Sequence, residues 1–284
     1  MLGSCILRAI TRVPHSDVYC IGRANSQKLQ NFTPCDISNL LDFEHAIDAL
    51  RPDLVIHSAA NVNVNSCETL KEYSYALHVG TSAIIASKSF VTKSIYISTD
   101  SVFDGKTGNY RPSDHKNPLN YYATTKSLGE DEFLKSGRAA IIRTNIVGYS
   151  CPLKNSLFEW GFSSLKKGES IRGFSNIMFN PLYVKTLADL LVNAFVVKEA
   201  TPGIYHFGST DFYSKYDFLR LLARIFSFDE SLVKPVEAVA IEGVGRPLNT
   251  TLNVDETQRE LGIQLPTLEK EMLSIFGDIK NRYV

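Results

Sequence analysis

The feature that most constrains this chain is an alternation, through its first half, of short apolar runs with longer segments of helical periodicity. The runs span residues 17–23, 54–60, 94–99 and 139–147, and the amphipathic segments span 37–50, 68–89 and 122–135. Unbroken Val/Ile runs separated by helices predict strands buried on both faces, hence a parallel sheet with helices on either side. The fold class expected is α/β, a Rossmann-like doubly wound sheet whose ligands sit beyond the carboxyl ends of the strands. The alternation breaks down near residue 150, and residues 155–168 read as a helix opening a second lobe. The chain divides on this reading into a sheet domain, 1–150, and a smaller C-terminal lobe, 151–284, with segments near 177–210 returning to the sheet. Lysine plus arginine equals aspartate plus glutamate at 30 each, so no basic excess points to nucleic acid or an anionic membrane. The five cysteines (Cys5, Cys20, Cys35, Cys67, Cys151) form no C-x-x-C pair. They suit reduced thiols rather than a disulfide frame or a zinc site, and no metal site is expected. No apolar run reaches the roughly eighteen residues of a membrane span, and Arg8 interrupts the apolar start. A cytoplasmic protein is expected.

Two clusters carry chemistry. Residues 94–105 read Ser-Ile-Tyr-Ile-Ser-Thr-Asp-Ser-Val-Phe-Asp-Gly, a buried strand ending in hydroxyls and then a glycine turn. About twenty residues on, Tyr122-Ala-Thr-Thr-Lys126 places a phenol and an ammonium one turn apart on one helix face. A free phenol titrates near about 10, and a nearby ammonium draws that value toward neutrality. Ser98 and Thr99 can aim a hydroxyl at the carbonyl oxygen that Tyr122 would protonate. Neither cluster says much alone. Together, in this order and spacing, they are specific.

The pair resembles the extended short-chain dehydrogenase/reductases, and within them the dTDP-4-dehydrorhamnose reductase group. The resemblance implies that Thr99 orients the substrate carbonyl, Tyr122 transfers the proton, and Lys126 lowers the tyrosine pKa and contacts the nicotinamide ribose. It also implies an NAD(P)-binding first domain and a substrate-binding second lobe. The opening Met1-Leu2-Gly3 matches the last glycine of the glycine-rich turn and the start of the first helix, without the first strand and two earlier glycines. The reading favoured is that Met1 is an internal methionine, since a sheet without its central strand exposes two edges. Arg23, straight after the second strand with no acidic residue beside it, favours NADP(H) over NAD(H), unless it is simply a surface arginine. Asp36-Ile37 resembles the family's pair against the adenine, although Asp36 also suits a helix cap. Ala59 and Ala60 match the small residues on which the cofactor lies. His57 reads as a packed histidine.

Ser101, Asn145, Trp160 and Arg246 are the candidate substrate contacts. Arg246, in Gly-Arg-Pro, binds a diphosphate or is structural, and Trp160 is core or a ligand platform. The chain departs from the family at His78, where asparagine is usual, at Ser101 for tyrosine, and at Ile146 for tryptophan. The activity implied is NADPH-dependent reduction of a 4-keto deoxysugar on a nucleoside diphosphate, as in polysaccharide biosynthesis, with a homodimer as a candidate assembly. Two alternatives stay open. One is an epimerase or dehydratase on the same scaffold. The other is a non-catalytic NADP-binding protein like the regulatory subunit of methionine adenosyltransferase.

Overall fold

The computed structural model describes residues 1–25, 28–150, 156–238 and 245–283; Cys151, named above, and the first residue of the 155–168 segment lie outside them. The strands are β1 (Cys20–Gly22), β2 (Phe32–Pro34), β3 (Leu54–His57), β4 (Lys93–Ile97), β5 (Ala139–Thr144), β6 (Ile146–Val147), β7 (Ile171–Phe174), β8 (Met178–Phe179), β9 (Leu182–Tyr183), β10 (Gly203–Phe207), β11 (Tyr213–Ser214) and β12 (Val233–Val236). The α-helices are α1 (Leu2–Ile10), α2 (Leu40–Leu50), α3 (Val64–Thr69), α4 (Lys71–Tyr75), α5 (Thr81–Ser87), α6 (Tyr121–Leu134), α7 (Leu157–Lys166), α8 (Val184–Leu191), α9 (Lys215–Ile225), α10 (Asp255–Leu261) and α11 (Leu268–Tyr283).

The centre is a parallel sheet in the order β10-β5-β4-β3. Its two middle strands show why the sequence reads as unbroken apolar runs. Ile95, Ile97, Ala140 and Ile142 face a large core shared with α1, α8, α9 and α11. Tyr96, Ala139 and Ile141 face the opposite core, built with Phe43 and Ile47 of α2, Ile85 of α5 and Phe133 of α6. With helices on both faces, alternation of side chains carries no alternation of polarity. This is the doubly wound α/β architecture expected.

The sheet is in two hydrogen-bonded pieces. β1 pairs only with β2, in parallel, and among the described residues no ladder joins β1 to β3. The edges differ in burial accordingly: β5 is buried throughout, whereas β1 and most of β3 are half-exposed. Ile21 and Val55 nevertheless pack on the same core, so helix layers hold the pieces together.

One long helical expectation is broken by geometry: residues 68–89 contain α3, α4, a π-helical turn at Ala76–Gly80 and α5. Residues 184–197 likewise run as α8 followed by a π-helical stretch at Val192–Val197. β2, with its proline, carries no period that marks it as a strand. Among the described residues, no helix is long and apolar enough to cross a membrane.

α6 carries the Tyr-x-x-x-Lys pair and is buried on more than one face. Its N-cap Asn120 accepts from the Ala123 N–H at 2.9 Å and donates to Gly245 O at 2.9 Å, tying the helix start to the C-terminal segment. Gly129 sets its distance from the sheet. A Cβ there would lie 2.4 Å from the Tyr96 hydroxyl and 2.5 Å from the His78 carbonyl, so only glycine lets α6 approach so closely. Gly105 has φ +72 and packs on Pro247 and Leu248, which folds the turn after Thr99 against the same C-terminal segment.

Candidate active site

Thr99 follows the end of β4, and Tyr122 and Lys126 stand on the first two turns of α6. The Thr99 hydroxyl stands near enough to the Tyr122 phenol to act on its protonation. Burial raises the Tyr122 pKa well above the usual phenol value, and the neighbouring Thr99 hydroxyl only partly opposes it. Lys126 is fully buried; its ammonium donates to Ile97 O at 2.6 Å and lies 3.9 Å from the centre of the Tyr96 ring. Burial drives the Lys126 pKa down to about 7, against the pull of the Glu130 carboxylate one turn further on. The expectation that Lys126 lowers the Tyr122 pKa is therefore corrected for the unliganded chain. The lysine is engaged with strand β4, and the tyrosine is a firmly neutral phenol. Desolvation outweighs a charge that is itself half lost.

The face of α6 extends to a third residue that sequence reasoning passed over. Glu130 is fully buried and receives Arg143 Nε at 3.1 Å and Arg143 Nη2 at 2.9 Å. It also accepts from the Ser98 hydroxyl and has Lys116 Nζ at 3.3 Å. Burial alone would raise its pKa, but Arg143, Lys116 and Ser98 outweigh that and hold it below the usual carboxylate value. The signal was available: Glu130 is eight residues after Tyr122, and Arg143 interrupts a strand that is otherwise apolar.

His78, the departure from asparagine, sits in the π-helical turn against the site. Its Nε2 accepts from the Asn61 N–H at 3.0 Å, so Nδ1 carries the proton and donates to Thr125 Oγ1 at 2.8 Å. Its ring stands edge-on to Tyr122 with centres 5.9 Å apart. Burial and the Lys126 charge hold it neutral, with its pKa pushed down to about 2. His57 is buried and bonded to Thr81 at 2.9 Å, as a packed histidine should be.

Asp100 is a junction. Its Oδ1 accepts from Thr99 Oγ1 at 3.1 Å and Ser101 Oγ at 3.2 Å. Its Oδ2 accepts from Asn145 Nδ2 at 2.8 Å and Thr250 Oγ1 at 2.6 Å. Of the candidate substrate contacts, Ser101 and Asn145 are thus gathered beside Thr99. Trp160 is on α7 and 40% exposed, which removes the reading of it as core. Arg246 is exposed on the segment that covers the start of α6, next to Gly245, whose carbonyl is held by Asn120.

The candidate cofactor residues line the carboxyl ends of β1–β3. Gly3, in the first turn of α1, approaches the end of β3 so closely that a Cβ would lie 3.3 Å from Ser58 Oγ. Ala59 and Ala60 follow Ser58 and are exposed and half-buried respectively. Arg23 and Asp36 are exposed and within electrostatic reach of each other. Asp36 does not cap α2; Asn39 does, and Asp36 instead accepts from the Ser38 N–H at 3.1 Å and hydroxyl at 2.7 Å. Ile37, half-buried, packs on the α2–α5–α6 core.

Comparison with known proteins gives the same picture. The chain is 28% identical over 243 residues to methionine adenosyltransferase 2 subunit beta of Rattus norvegicus, covering 79% of this chain and 70% of that protein. It is 25% identical over 287 residues to the probable low-salt glycan biosynthesis reductase Agl14 of Haloferax volcanii, covering 97% and 94%. Among solved structures, a hypothetical dTDP-4-dehydrorhamnose reductase of Sulfolobus tokodaii superposes with a TM-score of 0.82 at 27% identity, covering 95% of both chains. The dTDP-4-dehydrorhamnose reductase of Bacillus anthracis in complex with NADP shares the fold, with a TM-score of 0.80 at 22% identity over 92% of this chain and 98% of that one. The profile of the RmlD substrate binding domain matches residues 1–280, and the chain belongs to that family.

Proposed function

We propose that this protein is an NADPH-dependent reductase of a 4-keto group on a nucleoside-diphosphate deoxysugar. The observation that carries the reading is the convergence of the Thr99 hydroxyl, just past the end of β4, with the Tyr122 phenol at the start of α6 and with Lys126 one turn on, its ammonium tied to Ile97 O at 2.6 Å. The cofactor, when bound, supplies a hydride to the keto carbon. Gly3, Ala59 and Ala60 leave room for a backbone-hugging dinucleotide, and α1 offers uncapped N–H groups at its start for the pyrophosphate. Ile37 and Asp36 would border the adenine, and Arg23 would read a 2′-phosphate, with NAD(H) as the alternative if it does not. The substrate lobe on this reading is the second half of the chain.

The chain's own residues handle the oxygen. The Thr99 hydroxyl, which donates to Asp100 in this structure, would turn its one proton to the carbonyl oxygen, and Tyr122 Oη gives that oxygen a proton as the alcohol forms. A phenol kept neutral by burial is the acid form that reduction consumes. The phenolate left behind is one turn from Lys126, whose pKa near 7 suits it to steady that charge or pass a proton on. Asp100 is occupied by four donors and has no free lone pair for acid–base work, which counts against a dehydratase. The similarity to methionine adenosyltransferase 2 subunit beta favours a second reading, a non-catalytic NADP-binding subunit.

The test is NADPH oxidation with dTDP-4-dehydrorhamnose by the wild type and by Tyr122→Phe. The variant should bind NADPH as the wild type does and turn over about 10²- to 10⁴-fold more slowly. A wild type that binds NADPH tightly and oxidises none of it would favour the regulatory reading.

A further inference from the structure

Outside the Tyr122–Lys126 pair, the charged group closest in character to a site residue is Lys215. It is the first residue of α9, held there by its N–H donating to Ile177 O at 2.9 Å and by the Ser214 cap on the Asp217 N–H at 3.0 Å. Its ammonium lies 3.0 Å from the centre of the Phe179 ring, which is itself fully buried. The carboxylate whose charge acts on it is Asp100, the residue that fixes Thr99.

Asp100 does not neutralise it by contact. Both Asp100 oxygens already take two hydrogen bonds each, from Thr99, Ser101, Asn145 and Thr250. Among the described residues, no carboxylate lies within ion-pair distance of Lys215, and its ammonium has no hydrogen-bond acceptor. An ammonium has three donors, and an aromatic face satisfies charge without accepting a directed bond. The side chain is half-buried, and Phe179, under its ammonium, follows Met178, whose carbonyl accepts from the N–H of Thr250, the residue whose hydroxyl holds Asp100. Burial accordingly lowers its pKa to about 7. A cation positioned by the fold, next to the residues that hold the carbonyl-binding threonine and left without a counter-ion in contact, is suited to an anion that arrives with the ligand.

We propose that Lys215 is the anion-reading residue of the substrate site, its ammonium binding an oxyanion of the sugar nucleotide. The inference rests on the reductase reading above. The oxyanion has two sources, a phosphate of the diphosphate or a carboxylate on the sugar. Of the other buried cations around Thr99, Lys126 is committed to Ile97 O and Arg143 to Glu130.

The experiment is calorimetric titration of the full chain and of Lys215→Met, with dTDP, UDP-glucose and UDP-glucuronate as probes and NADP⁺ as the control. A charge-assisted bond of this kind is worth roughly 10- to 100-fold in affinity. If the diphosphate is read, the variant loses that factor for all three probes. If a sugar carboxylate is read, it loses the factor for UDP-glucuronate alone. In both cases NADP⁺ binds as before. Equal affinities of wild type and variant for every probe overturn the inference and leave the reductase reading standing. A wild type that binds NADP⁺ but none of the sugar nucleotides overturns both. Should the methionine variant lose NADP⁺ binding as well, Lys215→Gln takes its place in the same titrations, with the same outcomes deciding.

Discussion

Replacing Glu130 by glutamine tests whether the buried charge cluster behind the catalytic pair holds the fold as its geometry says. The change keeps shape and removes one charge. Arg143, 2% exposed, would retain its bond to Pro112 O at 3.0 Å and its place 5.1 Å from the Phe103 ring, but lose the one carboxylate in contact with it among the described residues. The glutamine amide would also present donors where Arg143, Ser98 and Lys116 now all donate to the carboxylate. Breaking a fully buried ion pair by removing one partner costs about 3–5 kcal/mol, and neither group here is exposed enough for solvent screening to reduce that. With a urea slope near about 3 kcal/mol per molar for a chain of this size, the midpoint should fall by roughly 1–1.7 M. The assay is urea unfolding followed by far-UV circular dichroism at pH 7. Glu130 has a depressed pKa, so its contribution is present above the ordinary carboxylate range and is lost only as pH falls through the lower folded value. A midpoint shift under about 0.3 M would refute the reasoning and mean that Pro112 O and the Phe103 ring suffice for Arg143.

Arg23→Ala should weaken NADPH binding while leaving NADH nearly unaffected, because Arg23 is exposed directly after β1, where a guanidinium can meet a 2′-phosphate; equal losses in a titration with each cofactor would remove Arg23 from that role. Glu271 is buried, and burial raises its pKa to about 7 despite bonds from the Tyr183 N–H at 2.7 Å and the Thr186 hydroxyl at 3.0 Å. A raised folded pKa stabilises fully below the unfolded value and loses that contribution as pH rises through the folded one. Wild-type stability relative to Glu271→Gln should therefore fall between about pH 4.5 and 7, by on the order of 1–3 kcal/mol, in urea titrations at both ends of that window. A difference independent of pH would show that Glu271 titrates normally.

The sequence by itself determined the fold class and that Thr99, Tyr122 and Lys126 would lie close together. Short Val/Ile runs between helical segments leave few arrangements other than a covered parallel sheet, because the runs are too apolar to face water on either side. The order of a hydroxyl-ended strand followed by Tyr-x-x-x-Lys placed Thr99, Tyr122 and Lys126 near one another, since a strand end and the next helix are neighbours in such a sheet. Local signals stopped there. Asp36 suits a helix cap as well as the adenine until Asn39 is seen to cap α2. Trp160 reads as core or ligand platform until it is found 40% exposed on α7. Only the tertiary structure brought Asp100, Asn145, Thr250 and Lys215 together, from positions up to 150 residues apart, because that junction depends on how the C-terminal segment crosses the strand ends. The protonation states were decided there too. Spacing predicts that Lys126 draws the Tyr122 pKa down. Burial of both groups reverses that result, since desolvation disfavours the phenolate at Tyr122 and the ammonium at Lys126 alike.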